Sequence, residues 1–231
     1  MTRKISLHEW LTNRGLTLQQ ADHWSDFITD SIELIDDGHA LLRAPNEWTS
    51  FLSGCHKENP TEPEITSGLG DRMKRLQREA PMDSNRDKLH VGYEVPPIGD
   101  ESHGIRKPKA DFEIQKKFEA GYAASFVIEA KPLRIPSDMS GRYLGNEGIG
   151  CFLERNPPYS RHVVVGMLGY AMKDHSKWAS LLTSHIASTG TTSGITVLSL
   201  DNGKTCQVSE HERKNLDLPL VTVTHTILNY T

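Results

Sequence analysis

The sequence contains few cysteines and no long apolar run. Among its 231 residues only three are cysteine, and none of them has a C-x-x-C partner. This spacing argues against a disulfide framework and a structural zinc site, and it fits a reducing compartment. No stretch approaches the roughly 20 apolar residues that cross a bilayer. Because the first ten residues also lack the apolar region of a signal peptide, we expect a cytoplasmic protein with no membrane partner.

The sequence motifs of several enzyme classes are also missing. There is no P-loop, no G-x-G-x-x-G after a predicted strand and no G-x-S-x-G, which disfavours nucleotide-driven motors, dinucleotide enzymes and serine hydrolases. The eleven histidines are dispersed, and none forms H-x-x-x-H or H-E-x-x-H. A zinc hydrolase is therefore disfavoured as well. His225 alternates with apolar residues near the C-terminus, and we interpret it as a structural residue of a sheet.

The chain lacks the positive surplus of a dedicated DNA-binding protein. Its formal net charge is −4, whereas contacts between basic side chains and phosphates supply most of the non-specific affinity for DNA. The basic residues are grouped instead of abundant, so they could form either solvated faces or a local DNA-binding surface. The two groups are Arg72, Lys74, Arg75 and Arg78, and Arg106, Lys107, Lys109, Lys116 and Lys117. Carboxylates that hold a metal ion would also lower the net charge.

Helical periodicity dominates the N-terminal part of the chain. Two capping-box patterns predict two helices, of which the second begins after Thr17 and ends near Gly38. A less regular stretch is expected at 39–61, followed by a third helix at 62–79. No internal repeat is present, so we predict a single α/β domain over 1–231. It comprises an N-terminal helical extension (1–60), a core (61–188) and a β-rich C-terminal part of the sheet (189–231).

After residue 79 the period changes from near 3.6 to near 2, which predicts strands. The first strand is expected at 88–95, the second around Asp111 after a loop at 99–107, and the third at 122–131, where Pro132 ends pairing. A helix at 139–153, a buried strand at 162–172 and a helix at 174–186 follow. Beyond a loop at 189–194, the tail predicts strands at 195–200, 205–208 and 218–228, the first two forming a hairpin.

The most informative segment is KPKADFEIQKKFEAGYAASFVIEAKPL, residues 107–133. It places Asp111 in one strand and the triplet Glu129-Ala130-Lys131 in the next. Alternation in a strand directs Glu129 and Lys131 to one face and Ala130 to the other. If the two strands pair antiparallel, two carboxylates and one ammonium group converge. Such carboxylates suit Mg²⁺, and a nearby lysine can orient or polarise an attacking water.

Each of these residues also has a structural interpretation. Glu129 and Lys131 could form an ion pair at the end of a buried strand, and Asp111 could be an exposed residue near a turn. Against this, residues 125–128 (SFVI) are nearly all apolar, which favours a central strand where charges need a partner or a metal ion. Glu113 lies on the same face as Asp111 and is the alternative ligand.

The order helix, strand, strand with Asp111, strand with Glu-x-Lys, helix, strand resembles the core of the PD-(D/E)xK nuclease superfamily over residues 62–186. That superfamily includes restriction endonucleases, repair nucleases and effectors of bacterial anti-phage systems. The resemblance implies a restriction-endonuclease-like central mixed β-sheet flanked by helices. It also implies that Asp111 and Glu129 bind Mg²⁺, with Mn²⁺ as a substitute, and that Lys131 orients the water. Ala110 replaces the proline that often precedes the aspartate.

The resemblance further implies a glutamate from the preceding helix. The segment EPEITSGL begins at Glu62, and Glu64 is the best match for a third metal ligand, with Glu62 as the alternative. However, Thr61-x-x-Glu64 is also a capping-box pattern, which would direct the Glu64 carboxylate to backbone amides. Lys131, in turn, could balance the charge of the carboxylates without activating water.

We therefore expect a Mg²⁺-dependent DNA endonuclease, a restriction or anti-phage defence effector controlled by a partner subunit or by homo-oligomerisation. Two alternatives remain open at this point. The first is a catalytically inactive interaction subunit with the same fold, which is favoured if Asp111 or Glu64 points away from Glu129. The second is a small α/β binding module in which the triplet occurs by chance.

Overall fold

Helices form the N-terminal part of the chain. The computed structural model describes residues 5–57, 59–97, 108–119, 122–188, 193–213 and 216–231. The expected loop at 99–107, with Arg106 and Lys107, and most of the expected loop at 189–194 lie outside these ranges. The first four helices are α1 (Leu7–Thr12), α2 (Leu18–Arg43), α3 (Pro45–Gly54) and α4 (Glu62–Arg78).

The expectation of irregular structure at 39–61 is wrong for much of that stretch. Helix α2 continues past Gly38 to Arg43, and α3 begins at Pro45. Proline is well tolerated in the first turn of a helix, since its missing N–H has no intrahelical partner there. A Cβ atom added to Gly38 would lie 2.7 Å from Cγ of Met73 in α4. Gly38 therefore permits the close approach of two helices and does not end one.

The described residues form one seven-stranded sheet with the order β1-β2-β3-β4-β7-β6-β5. Strands β3 and β4 pair parallel, as do β4 and β7, and the other neighbouring pairs are antiparallel. The expected α/β architecture with a mixed sheet is thus confirmed. The strands are β1 (Leu89–Val95), β2 (Ala110–Glu119), β3 (Tyr122–Leu133), β4 (Val164–Ala171), β5 (Ser193–Ser199), β6 (Thr205–Arg213) and β7 (Leu218–Asn229).

Helices flank the sheet on both faces. Apolar residues of α1, α2 and α4 form one hydrophobic core with one face of the strands. A second core on the other face includes Trp178, Leu182 and Ile186 of α6 (Trp178–Ser188). Every residue of β4 is buried, as expected for a parallel strand covered on both sides. Within the described ranges, no helix is both long and apolar enough to cross a membrane.

The connection between β3 and β4 differs from the single helix expected at 139–153. It contains a π-helical turn at Met139–Tyr143 and a short helix α5 (Gly150–Leu153), separated by turns. A Cβ atom at Gly148 would lie 2.2 Å from the backbone oxygen of Tyr143, so the chain folds back too closely for a continuous helix. The low helix propensity of glycine adds to this effect.

Pairing of β3 does not end at Pro132, contrary to expectation. Pro132 pairs with Tyr170 and Leu133 with Ala171 of β4. The ladder between β2 and β3 is registered only as far as Phe112 and Ile128. Beyond that point β3 behaves as an edge on the side of β2, where a residue without an N–H is tolerated. This end of β3 carries the Glu129-Ala130-Lys131 triplet.

Candidate active site

The triplet lies where β3 runs beyond its partner β2. Glu129 and Lys131 are only 5% and 8% exposed, and Ala130 is fully buried in the core shared with α4. The Lys131 ammonium donates to Oε1 of Glu129 at 2.7 Å. The alternation expected from the sequence is therefore present, with two charged side chains together and alanine packed toward a helix.

Asp111 joins this end of β3 through its side chain. Oδ2 of Asp111 accepts a hydrogen bond of 2.7 Å from the backbone N–H of Ala130. A carboxylate thus occupies the position where a backbone carbonyl of β2 would continue an antiparallel ladder. The two strands separate at Asp111, since their registered pairing ends at Phe112 and Ile128.

The local backbone of β2 explains how Asp111 reaches this position. Ala110 belongs to the core on the α6 face, whereas Phe112 belongs to the core on the face of α1, α2 and α4. Residues two apart in a regular strand share a face, so the alternation breaks between these two positions. Asp111 lies at this break, and its side chain is directed toward β3.

Helix α4 contributes two further side chains. Thr66 donates to Oδ1 of Asp111 at 3.4 Å, a long hydrogen bond, and its hydroxyl lies 3.0 Å from that of Tyr170 in β4. Glu62, the first residue of α4, accepts from the Lys131 ammonium at 3.1 Å. The acidic cluster, defined as Asp111, Glu129 and Glu62 around Lys131, therefore draws on a helix and two strands.

Glu64, the preferred third acid from the sequence, does not join the acidic cluster. Its Oε2 accepts from the Thr61 backbone N–H at 2.7 Å, and its Oε1 accepts from the His56 backbone N–H at 2.8 Å. These hydrogen bonds, with the one from Thr61 contributing most, lower the pKa of Glu64 to about 2. The capping box thus uses Glu64, and the alternative Glu62 faces Lys131.

Burial and mutual repulsion dominate the electrostatics of the cluster. Burial raises the pKa of Asp111 to about 6, with the charge of Lys131 acting in the opposite direction. Burial, followed by the charge of Asp111, raises the pKa of Glu129 to about 8. Burial alone would lower the pKa of Lys131, but the charges of Glu129, Asp111 and Glu62 outweigh it and raise the pKa. One ammonium group thus faces three carboxyl groups.

One oxygen of Glu129 has no hydrogen-bond partner among the described residues. Oε2 is buried and unpaired, while Oε1 is bound to Lys131. Cys151 and Tyr159, from the connection between β3 and β4, lie close enough for the charge of Glu129 to raise the pKa of each, after the larger effect of burial. A buried acceptor without a partner is costly, so this oxygen favours a proton or a cation.

The acidic cluster offers few ligands for a metal ion. Among the residues that the structure describes, no group of three or more His, Cys, Asp or Glu side chains is arranged to hold a metal ion. Asp111 and Glu129 would therefore supply two carboxylates. Glu113, the alternative ligand, accepts a hydrogen bond of 2.5 Å from Ser125 and lies apart, at a neighbouring cavity.

Three members of the basic groups identified in the sequence are engaged within the chain. Arg72 and Arg75 of α4 both donate to Glu47, at 2.8 and 3.0 Å. Lys116 is largely buried and pairs with Asp30 at 2.9 Å. These residues bind one helix to another or to the sheet, so they add little free positive charge for a nucleic acid.

Thr66 and Tyr159 were not identified as site residues from the sequence. Thr66 lies four residues after Glu62 and therefore on the same side of α4. The sequence signal for Thr66 was a polar residue between the apolar positions Ile65 and Leu69. Tyr159 lies in an irregular segment without helical or strand periodicity, so its position depended on the tertiary fold.

Comparisons of the chain with protein-family models, curated proteins and solved structures found no match.

Proposed function

We propose that this protein is a Mg²⁺-dependent nuclease of the PD-(D/E)xK type that hydrolyses phosphodiester bonds of DNA in the cytoplasm. The observation that carries the proposal is the meeting of Asp111 and Glu129 beside Lys131, at a point where β2 and β3 separate. The mixed sheet with helices on both faces supports a restriction-endonuclease-like fold.

The cluster fits a divalent cation by its charge and its donors. With all four groups ionised, three carboxylates and one ammonium group carry an excess of two negative charges. Oε2 of Glu129 is buried and accepts no hydrogen bond from the part of the chain that the structure describes. Hard carboxylate oxygens are the ligands that Mg²⁺ prefers, and it retains several waters when only one or two carboxylates bind it. Asp111 and Glu129 would hold the ion.

The side chains have distinct tasks in this proposal. Mg²⁺, when bound, would polarise the phosphoryl group and lower the pKa of a bound water. Lys131 donates to Glu129 and Glu62, which among the described residues leaves the third N–H of its ammonium group for a water or a phosphate oxygen. Thr66 and the Ala130 N–H fix the orientation of Asp111, so that its carboxylate is preorganised.

We extend the proposal to a restriction or anti-phage defence effector that acts with a partner subunit or as a homo-oligomer. The formal charge of −4 and the internal pairing of Arg72, Arg75 and Lys116 support this extension. Because phosphate contacts provide most of the affinity for DNA, a second subunit would add positive surface to that of this chain. Two copies would also bring two sites to two strands.

Plasmid cleavage tests the proposal. Supercoiled DNA incubated with the protein and Mg²⁺ should be nicked or linearised, and EDTA should prevent this. Replacement of Asp111 or Glu129 by alanine should abolish cleavage, whereas Glu64→Gln should retain it because Glu64 only caps α4. Cleavage that persists in both alanine variants would rule out this site.

A catalytically inactive interaction subunit with the same fold is the second candidate. The pairing of Lys131 with both Glu129 and Glu62 favours it, because the lysine already balances part of the buried charge without a metal ion. Glu64 also points away from the cluster. This candidate predicts no Mg²⁺-dependent cleavage in any variant, and an effect of Asp111→Ala on stability only.

A further inference from the structure

A cavity of about 250 Å³ lies beside the acidic cluster. Its lining includes Val127, which precedes Glu129 by two residues in β3, and Ala110, which adjoins Asp111 in β2. Two residues of a strand span roughly 7 Å. Tyr159 also lines the cavity, and the charge of Glu129 acts on its hydroxyl group. The cavity and the cluster are therefore neighbours that share Tyr159.

The walls of the cavity are mostly apolar, and its polar groups are few. Val127, Pro158 and Tyr159 provide apolar and aromatic surface. Within the lining, Glu113 supplies a carboxylate that accepts a hydrogen bond from Ser125 at 2.5 Å. Such a combination of apolar walls with one or two fixed polar groups is typical of a site for a small organic ligand.

The size and charges of the cavity indicate the ligand. Pockets for drug-sized molecules usually measure roughly 300–1,000 Å³, so about 250 Å³ suits a smaller ring system. Arg161, which is exposed, also lines the cavity and provides a positive charge for an anion, beside His162, whose pKa is lowered by burial. A planar ring fits the volume of the cavity, an amino group on the ring would donate to Glu113, and an attached phosphate would face Arg161.

We propose that this cavity receives one unpaired nucleobase of the strand that the acidic cluster cleaves. The base packs against the part of the Tyr159 ring that lines the cavity, while Arg155 and Phe152 contact the ring elsewhere. An exocyclic amino group of the base donates to Glu113. The substrate would then be single-stranded DNA, or a duplex with one nucleotide turned out of the stack. This inference rests on the proposed nuclease function and adds the substrate class to it.

Binding of labelled oligonucleotides tests the inference, with Ca²⁺ in place of Mg²⁺ to prevent cleavage. Fluorescence anisotropy would compare a single-stranded deoxycytidine oligomer, a deoxythymidine oligomer, an oligomer of abasic sugar-phosphates and a fully paired duplex. The wild-type protein should bind the deoxycytidine oligomer most tightly. Tyr159→Ala should weaken that binding roughly 5- to 150-fold, as expected for the loss of one stacked base, and Tyr159→Phe should retain it.

A second variant keeps the test decisive if Tyr159→Ala does not fold. Glu113→Gln preserves the shape of the side chain and should remove the preference for deoxycytidine over deoxythymidine. Equal binding of the deoxycytidine and abasic oligomers by the wild-type protein would overturn the base site. That result, together with Mg²⁺-dependent plasmid cleavage, would leave the nuclease function intact. Base-dependent binding without cleavage would instead overturn the nuclease function and keep the base site.

Discussion

The backbone N–H of Ala130 donates a hydrogen bond to the side chain of Asp111, with 2.7 Å between nitrogen and Oδ2. This bond joins two strands whose regular ladder is registered only to Phe112 and Ile128. The same carboxylate lies beside Glu129 and Lys131. The charge of Lys131 lowers the pKa of Asp111, and the charge of Asp111 raises the pKa of Glu129. Asp111 therefore has a structural task and an electrostatic task, and substitutions can separate them.

The structural task of Asp111 predicts a difference between two substitutions. Asp111→Ala leaves the Ala130 N–H without its acceptor, which should lower the free energy of unfolding by about 1–3 kcal/mol. Asp111→Asn keeps an oxygen acceptor and should cost less. Urea denaturation measures both values. Equal destabilisation by the two variants would show that the hydrogen bond to Ala130 contributes little.

The raised pKa of Glu129 predicts a pH dependence of stability in the metal-free protein. Its pKa in the folded protein is about 8, above the value of roughly 4.3 in an unfolded chain. The folded state therefore holds the proton more tightly, and this contribution to stability is complete below about pH 4. It is lost as the pH rises through about 8. Because the buried His211 and His225, whose pKa values are lowered, add stability as the pH rises to about 6.5, the net decline in the free energy of unfolding in EDTA should appear between about pH 6.5 and 8.

Matched variants isolate Glu129 in this experiment. Glu129→Gln resembles the protonated side chain and should flatten the decline, whereas the exposed Glu154→Gln should leave it unchanged. Addition of Mg²⁺ near pH 8 should restore stability to the wild-type protein and not to Glu129→Gln, because a ligand that binds only the folded state stabilises it. Profiles of the wild-type protein and of Glu129→Gln that coincide between about pH 6.5 and 8 in EDTA would contradict the assignment.

The two glutamates at the start of α4 should have separable effects. Glu64→Gln weakens the acceptor for the backbone amides of Thr61 and His56 and should lower the midpoint of thermal unfolding. Glu62→Gln removes the negative charge of one acceptor of Lys131 and should change the rate of Mg²⁺-dependent cleavage with little effect on thermal stability. Thermal melts and cleavage rates of both variants measure this. The reverse pattern would show that Glu64, and not Glu62, serves the site.

A buried hydrogen-bond chain on the α6 side of the sheet allows a further prediction. Tyr143 donates to the backbone oxygen of Met167 at 3.1 Å and therefore accepts from Nδ1–H of His225 at 3.2 Å. Nε2 of His225 must then accept from the Ser209 hydroxyl at 2.7 Å, and Ser209 accepts from Nε2–H of His211 at 2.6 Å. Burial lowers the pKa of both histidines, so His211 and His225 are neutral near pH 7.

Ser209→Ala should therefore destabilise the protein strongly. It leaves a buried acceptor on His225 and a buried donor on His211 unpaired, at a cost of about 2 kcal/mol or more in the free energy of unfolding. The exposed Ser180, which donates to a helix carbonyl, is the matched control, and Ser180→Ala should stay within about 0.5 kcal/mol of the wild-type protein. Similar urea midpoints for the two variants would show that the hydrogen bonds of Ser209 to His211 and His225 contribute little to stability.

Local patterns in the sequence were sufficient to locate the strands, although β3 and β6 extend further than expected, and to predict the pairing of Glu129 with Lys131. Alternation placed the two charges on one side of β3, and the apolar residues before them placed the strand inside the sheet. The interpretation of His225 as a sheet residue agrees with the structure, because both of its ring nitrogens are hydrogen-bonded in the core. These features follow from backbone geometry, which is the same in every strand.

Features that depend on contacts distant in sequence were not predictable. Gly38 was interpreted as the end of a helix, because its role as the contact point for Met73 requires knowledge of where α4 lies. The choice between Glu62 and Glu64 depended on which carboxylate the capping box would use, and the sequence allowed both. Separation of β2 from β3 at Asp111 likewise arises from tertiary packing.

The binding of Mn²⁺ to the acidic cluster tests the central claim most directly. Mn²⁺ substitutes for Mg²⁺ and can be followed by electron paramagnetic resonance as the free ion disappears on titration with protein. The wild-type protein should bind the ion, and Asp111→Asn and Glu129→Gln should each lower the affinity by at least roughly tenfold. Glu64→Gln should bind as the wild-type protein does. Affinities that are equal in all four proteins, or the absence of binding to the wild-type protein, would contradict the assignment of Asp111 and Glu129 as metal ligands.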